Sequence, residues 1–201
     1  MRRDASIHRK NCNLYCGTQR LALRLHGASV LDMPSVTTRL TSSLITVRWR
    51  KRNGLGGDLI TRDKFGSLKC HMEFRYAVEP GKTGQSRGNS GLFFHGIGEL
   101  QILNNYGTGG FWNECGAIYK KAPAKVNAAA PPLQWQTYDV EIILPEEVDD
   151  KSMALVTAYL NGQAIHHETP VPYNRHDRVV EIGLQDHMNV LQYRNIWVRE
   201  F

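Results

Sequence analysis

The 201-residue sequence lacks any run of apolar residues approaching the ~20 that a membrane-spanning helix needs. It also lacks the bias of a low-complexity chain, because 18 glycines and 8 prolines are too few for that class. Hydrophobic residues make up 41% of the chain and charged residues 22%. These features exclude a membrane span, a collagen-like chain and wholesale disorder, and they predict one globular domain with or without a tail.

The chain has only four cysteines, and their spacing supports neither a structural metal site nor a set of disulfides. Cys12 and Cys16 lack a second pair at metal-ligand spacing, and the four cysteines do not form a disulfide framework. Cys70 falls within an alternating strand pattern, where a small buried thiol is the simpler interpretation. The sequence therefore predicts neither a zinc module nor a disulfide scaffold.

The excess of positive charge, +6 overall, lies at one end of the chain. Residues 1–53 contain 11 of the 25 Lys and Arg residues but only two of the 19 Asp and Glu residues, which leaves 14 basic and 17 acidic residues for the remainder. A mildly acidic globular part gives no reason to expect a nucleic-acid partner. Nucleic-acid binding by the basic arm is an outside alternative, since no aromatic platform accompanies its scattered charges.

Residues 1–53 also differ from the rest in composition. They are rich in Ser, Thr, Arg and Leu, and only residues 43–50 look strand-like. We predict an atypical basic segment over 1–53, poorly ordered or with an altered opening, followed by a globular domain over 54–201. No signal peptide is recognisable, because Asp4 and the polar residues 8–11 interrupt any hydrophobic stretch.

From residue 54 onward the pattern is that of a β protein. The segment Leu68–Tyr76 alternates apolar and polar residues over nine positions, and Asn161-Gly162 predicts a tight hairpin. Further short strands are readable over residues 91–95, 99–104, 136–144, 153–160, 178–184 and 191–199. Seven or eight short strands without helical periodicity predict a β-sandwich or jelly roll, with residues 107–116 and 120–133 as loops at its rim.

Two polar segments could carry chemistry. On the strand predicted over 99–104, Glu99 and Gln101 share one face, where they could either bind a ligand or face solvent. Asp186 and His187 lie in a predicted turn. The histidine could act as a base or a ligand, or be an ordinary loop residue, and the aspartate could simply cap the turn.

Four motifs, in order, resemble those of one known family. They are GDLITRDKFG with HMEFR, GNSGLFFHGIGELQILNNYG, CGAIYKKAPAKVNAAAPPLQWQTYD and IGLQDHMNVLQYRNIWVREF. Together they resemble the 3-keto-disaccharide hydrolase family from about residue 57 to residue 201. The resemblance implies an all-β fold, a concanavalin-like jelly-roll sandwich of two curved antiparallel sheets, with sugar on the concave sheet.

The resemblance also implies an activity. Once a partner sugar 3-dehydrogenase has made a ketone at C3, the hydrogen on C2 is acidic, so a general base can remove it and the enolate can expel the glycosidic oxygen at C1. Addition of water completes a net hydrolysis. The implied partner is a 3-keto-glycoside, and the implied location is periplasmic or extracytoplasmic in a bacterium.

Carried onto this sequence, the resemblance supplies candidate residues. Glu99 or His187 is the expected base, and Glu73 is a further catalytic candidate. The predicted substrate-binding residues are Arg75, Asn89, Ser90, Gln101, Asn104, Trp135 and Arg194. No cofactor is assigned outright, and the alternative is a divalent metal held by Glu99, His187 and their neighbours, because carboxylate and imidazole suit such ions.

This sequence departs from the family pattern at two of these segments. Asn104 stands where the family commonly has Asp, so a carboxylate is absent. Met188 stands where Gly is usual, in a turn that favours positive φ. If the missing acid is essential, we expect a weak or inactive enzyme.

Two other functions remain open from the sequence. A non-catalytic carbohydrate-binding module would keep Trp135, Gln101 and Asn89 on the same sandwich but lack a competent base. A conventional glycosidase would need two carboxylates about 5 to 9 Å apart, and Glu73 with Glu99 is the pair available. A Glu or His with a perturbed pKa in a cleft would favour an enzyme, whereas an open aromatic face would favour a binder.

Overall fold

The computed structural model describes residues 23–25, 49–51 and 58–201, the first two ranges as backbone only. These residues form eleven strands and one short 3₁₀ turn, Gly84–Ser86. The strands are β1 Leu23–Leu25, β2 Trp49–Lys51, β3 Leu59–Thr61, β4 Leu68–Tyr76, β5 Ser90–Phe94, β6 Gly98–Ile102, β7 Gln136–Ile143, β8 Met153–Leu160, β9 Gln163–Pro172, β10 Ile182–Leu184 and β11 Leu191–Glu200.

The strands form two antiparallel sheets, which confirms the predicted jelly-roll sandwich. One sheet has six strands in the order β1-β11-β4-β7-β8-β9, and the other has five in the order β2-β3-β10-β5-β6. In the described part of the chain no helix is long and apolar enough to cross a membrane.

Strand β4 shows why the sequence folds this way. Its apolar residues Leu68, Met72 and Phe74 are fully buried between the sheets, while the alternating polar residues point outward. The β5 and β6 strands supply the facing core side chains, such as Leu92 and Ile102. Each sheet therefore has an inner face that forms the core and an outer face whose side chains point away from it.

The observed strands agree with most of the predicted ones. β4 and β8 coincide with the predicted bounds, and the hairpin residues Asn161 and Gly162 have φ of 52° and 78°, as a type I′ turn requires. The strand predicted over 178–184 is shorter, since only β10 is a strand and Val180 makes an isolated bridge to Phe65. The pattern missed β3, because three consecutive buried residues give no alternation.

Most of the segment 1–53 lies outside the described residues, including Cys12, Cys16 and residues 43–48 of the strand predicted there. The described part consists of β1, which pairs with β11, and β2, which pairs with β3. These two short strands lie at one edge of the six-stranded and the five-stranded sheet, respectively. The predicted disorder or altered opening of this segment stays a prediction.

Candidate active site

The outer face of the five-stranded sheet brings the central polar residues together; we call it the Glu99 face. Strand pairing aligns Gly183 with Phe93 and Phe93 with Glu99 in one row across the sheet. In the next row on the same face, Gly91 pairs with Gln101, and the Gly91 carbonyl accepts a hydrogen bond from the Gln185 amide at 3.0 Å. Glu99 and Gln101 alternate with core residues of β6, as the sequence predicted.

Two glycines leave room for side chains on the Glu99 face. A Cβ on Gly91 would lie 2.1 Å from Glu99 Oε1 and 2.7 Å from its Cγ, so the Glu99 side chain crosses the sheet directly over this glycine. A Cβ on Gly183 would lie 3.2 Å from His95 Nε2. The His95 ring, which stacks on Phe93 with centroids 6.1 Å apart, therefore lies on the same face as Glu99.

The environment of Glu99 makes it a weak acid. The residue is only 9% exposed, and burial, followed by the nearby charge of Asp58, raises the pKa of its carboxyl from 4.5 to about 7. Asp58 is held in place where its Oδ1 accepts a hydrogen bond from the Asp186 amide at 2.8 Å. A carboxyl with a pKa near 7 is half ionised at neutral pH and suits a general base.

Amide side chains surround Gln101. Its amide is best satisfied with the nitrogen donating to Glu99 Oε1 at 2.8 Å and to the Ser90 carbonyl at 3.2 Å. The buried Asn89 donates to the backbone carbonyl of Gln85 at 2.6 Å, and the Gln85 amide donates to the Asn113 carbonyl at 2.9 Å. The predicted binding residues Gln101 and Asn89 thus lie together, next to the predicted base.

Ser90 points away from this group. Its side chain is fully buried, donates to the Gln185 carbonyl at 2.7 Å and lies 2.5 Å from the Tyr193 hydroxyl. Asn104 lies just beyond β6, is partly buried, and donates its backbone N–H to the Arg87 carbonyl at 2.8 Å. The structure brings neither side chain onto the row that contains Glu99.

His187 lies at the end of the Glu99 face. It follows Asp186, which adjoins Asp58, and it is exposed. Within the described residues no hydrogen bond fixes its ring, in contrast to the buried carboxyl of Glu99. The next residue, Met188, has φ of 62° and is 77% exposed, so the positive φ expected for this turn is confirmed.

A loop with three exposed aromatic side chains follows β6. Tyr106, Phe111 and Trp112 are each more than half exposed. The Trp112 carbonyl accepts from the Lys120 amide at 2.9 Å, and the adjacent Tyr119 amide donates to the Glu99 carbonyl at 2.8 Å. This loop, predicted as a rim loop, therefore lies beside the strand that carries Glu99.

His95 and these aromatic residues are not among the residues predicted from the sequence. Their signals were present: His95 keeps the parity of Gly91 and Phe93 on the predicted strand over 91–95, and the aromatic pair at 111–112 follows two glycines in a predicted loop. Asp58 had no signal, because it precedes the strand β3 that the pattern missed.

The remaining predicted residues lie on the outer face of the six-stranded sheet, which we call the Arg75 face. Arg194 Nε donates to Glu73 Oε2 at 2.6 Å, and the guanidinium carbons of Arg194 and Arg75 lie 3.7 and 4.7 Å from the Trp135 ring centroid. Glu73 and Glu99 therefore lie on opposite sides of the sandwich. They do not form the carboxylate pair that a conventional glycosidase would need.

The charge state of Glu73 also differs from that of Glu99. Partial burial acts to raise the pKa of Glu73, but hydrogen bonds from Asn195 and Arg194 outweigh it, so the pKa lies below its usual value. Glu73 is thus an ionised, tightly partnered carboxylate, and a weak base.

No three His, Cys, Asp or Glu side chains converge as a metal site anywhere in the part of the chain that the structure describes. A divalent metal on Glu99 and His187 therefore stays a prediction, and we assign no step to it.

The close contact between Gly91 and Glu99 gives a first testable prediction. In the variant Gly91→Ala the new methyl group would overlap Glu99 Cγ and its carboxylate, so Glu99 must leave its position over the sheet. We expect turnover to fall by about 100-fold, as for a misplaced catalytic group, with the KM for substrate changing less than kcat. The matched control is Gly66→Ala, where the backbone does not have a positive φ and the atom nearest to the new Cβ is Glu200 Oε1 at 3.5 Å, an ordinary contact. Equal losses in both variants would contradict a positioning role for Gly91.

The sequence and the fold of this chain are both similar to those of known proteins. The sequence profile of the 3-keto-alpha-glucoside-1,2-lyase-like domain matches residues 35–199. Among solved structures, a "putative glycosyl hydrolase" from Parabacteroides distasonis ATCC 8503 is 28% identical with a TM-score of 0.66, over 78% of this chain and 75% of that chain. No curated protein matches the chain.

Two further structures from the same organism carry the same description, and their similarity to this chain shows the fold alone. One is 14% identical with a TM-score of 0.53, over 75% of this chain and 77% of that one. The other is 17% identical with a TM-score of 0.51, over 83% and 90%. The profile match begins within the basic segment 1–53, earlier than the four motifs indicated.

Proposed function

This chain belongs to the 3-keto-alpha-glucoside-1,2-lyase-like domain family, and from that premise we propose that it cleaves the glycosidic bond of sugars that carry a ketone at C3. The coarser statement, that the chain is a carbohydrate-active domain of the hydrolase or lyase type, follows from the family itself. The observation that carries the finer proposal is the buried Glu99 carboxyl with its pKa near 7.

In the proposed reaction Glu99, as a carboxylate, takes the proton from C2. The electrons of the broken C–H bond form an enolate with the C3 carbonyl, and they then form a double bond between C1 and C2 as the C1–O bond breaks. The departing oxygen takes a proton, which the Glu99 carboxylic acid can return. Addition of water across the double bond would give the free 3-keto sugar and complete a net hydrolysis.

A hydrogen-bond donor on the same face would stabilise the enolate. His95 lies beside Glu99 on the Glu99 face, and its ring can donate a hydrogen bond to the enolate oxygen. Gln101 instead orients the base, because its amide nitrogen donates to Glu99 Oε1 and to the Ser90 carbonyl. Such hydrogen bonds act most strongly where water is excluded, and Glu99 and Gln101 are both buried. The exposed rings of Phe111 and Trp112 offer apolar surfaces for the sugar at the rim.

The substrate must be supplied by an oxidation. A hydrogen on C2 becomes acidic only when C3 is a carbonyl, so an enzyme that dehydrogenates the C3 hydroxyl has to act first. This requirement comes from the chemistry of the proposed reaction.

The test uses the purified chain with a 3-keto-disaccharide and, separately, with the matching unoxidised disaccharide. The products are identified by mass spectrometry. We expect the keto sugar to be cleaved and the unoxidised sugar to remain intact. In D₂O, recovered substrate or product should gain deuterium at C2, which a conventional glycosidase would not cause. Loss of cleavage in EDTA would add a metal to the mechanism.

Other outcomes would overturn the proposal. Cleavage of the unoxidised sugar would indicate an ordinary glycosidase. Binding without cleavage of either sugar would favour the non-catalytic carbohydrate-binding module, the second candidate, which the exposed aromatic rim also suits. The raised pKa of the buried Glu99 is the observation that favours the enzyme.

A further inference from the structure

The Arg75 face contains a cavity that the proposed reaction does not use. The cavity has a volume of about 370 Å³ and is lined by Arg75, Tyr76, Ala77, Leu133, Val190 and Gln192. This volume falls within the range of small-molecule sites, about 300 to 1,000 Å³. Because it lies on the outer face of the six-stranded sheet, it is separated from Glu99 by the core of the sandwich.

Arg75 brings a positive charge to this cavity, and no acid among the residues with described side chains pairs with it. Its Nε donates to Gln192 Oε1 at 2.6 Å, and its guanidinium lies over Trp135. Across the described residues, no carboxylate pairs with Arg75 and its terminal Nη groups donate to no protein acceptor. Arg194, stacked on the same ring, is instead paired with Glu73. With respect to the side chains that the structure describes, Arg75 therefore differs from Arg194 in keeping its terminal Nη donors for a ligand.

Two exposed apolar side chains also line the cavity. Leu133 is 58% exposed and Val190 is 42% exposed, and they come from distant parts of the chain. Gln192 and Arg75 are held in a fixed geometry by their mutual hydrogen bond and by the strand pairing of β11 with β4. The cavity thus combines a preorganised guanidinium edge with apolar side chains.

We infer that this cavity is a second carbohydrate site that binds a sugar carrying a carboxylate, such as a uronic acid residue. The planar Nη edge of Arg75 matches a carboxylate in a two-point hydrogen-bonded pair. Leu133 and Val190 cover the C–H surface of the ring. A bare anion would leave these apolar walls unused, and a neutral sugar would leave the charge of Arg75 unpaired.

Such a site would hold the acidic part of a polysaccharide on the Arg75 face, while another part of the same polysaccharide reaches the Glu99 face. Two weak sites on one domain raise the overall affinity for a long ligand without a new contact at either site. The inference goes beyond the proposed reaction and does not depend on the role of Glu99.

The experiment compares methyl β-D-glucuronide with methyl β-D-glucoside, which differ only at C6, by calorimetric titration of the full chain at low salt. We expect the glucuronide to bind about tenfold more tightly or better, as for a hydrogen bond to a charged group, and the preference to weaken as salt rises. Arg75→Gln should abolish the preference. Arg199→Gln, which removes the same charge from an exposed position on β11, should keep it.

Two further variants and a titration with acetate complete the test. Arg75→Lys keeps the charge without the two-point geometry and should bind with intermediate affinity, which tests the site even if Arg75→Gln fails to fold. Glu99→Gln, which disables the proposed reaction, should keep the preference, so the two proposals can fail separately. Equal affinity for glucuronide and glucoside, or acetate binding as tightly as glucuronide, would overturn the inference.

Discussion

The Glu99→Gln variant is expected to lose turnover of a 3-keto-glycoside by about 100- to 10,000-fold, the usual contribution of a general base. Glutamine keeps the size of the side chain and its contact over Gly91, but its amide cannot accept the C2 proton. Sugar binding should persist, because Gln101, Asn89 and the aromatic rim are unchanged. Steady-state kinetics with a 3-keto-disaccharide, together with a binding titration, would separate the two effects.

The matched control is Glu141→Gln. Glu141 lies on the outer face of β7 in the other sheet, where it pairs with Lys69 at 2.9 Å, so the same chemical change is made far from Glu99. Its turnover should equal that of the unaltered chain. Unchanged turnover in Glu99→Gln would remove Glu99 from the reaction and leave His187 as the remaining predicted base on that face.

The alternation of the sequence predicted the fold well because each sheet buries one face. In Leu68–Tyr76 every second side chain enters the core, so a period of two fixes the strand and the parity of its polar residues. The same period places Glu99 and Gln101 on one face of β6, as the structure confirms. Short strands such as β3 escape prediction, since three consecutive buried residues show no period.

Parity along one strand does not tell which sheet the strand will join. Glu73 and Glu99 both stand on polar faces, and nothing in their local sequence separates them. The pairing of β4 with β7 and β11, and of β6 with β5, puts them on opposite sides of the sandwich. Sheet membership depends on contacts between distant segments, so the candidate set divides only once the topology is known.

The perturbed pKa of Glu99 was likewise beyond sequence reasoning. It results from burial and from Asp58, which lies 41 positions earlier in the chain and reaches the site through the Asp186 amide. Gly91 and Gly183 are visible in the sequence. That they leave space for the side chains of Glu99 and His95 follows only from the register of β5 with β6 and β10. The family resemblance supplied the residue Glu99, and the fold supplies the physical reason for its basicity.

The burial of Glu99 has a cost in stability that a second experiment can measure. The folded chain holds the pKa of this carboxyl near 7, against 4.5 for the unperturbed group, so the unfolded chain ionises it at lower pH. Folding is therefore opposed increasingly as the pH rises from 4.5 through 7, and the effect is constant above that range. At 1.36 kcal/mol per pKa unit, it amounts to about 3 kcal/mol at pH 8.

Glu99→Gln, which cannot ionise, should escape this effect and so be more stable than the unaltered chain at pH 8 while inactive. The free energy of unfolding, measured by urea titration of both proteins, should differ between them by about 3 kcal/mol more at pH 8 than at pH 4. Asp58→Asn keeps the acceptor for the Asp186 amide but removes the neighbouring charge, and it should reduce the pH dependence without abolishing it. A stability difference between Glu99→Gln and the unaltered chain that stays the same at both pH values would show that Glu99 ionises normally in the folded protein. In that case the argument for Glu99 as a base near neutral pH would lose its physical support.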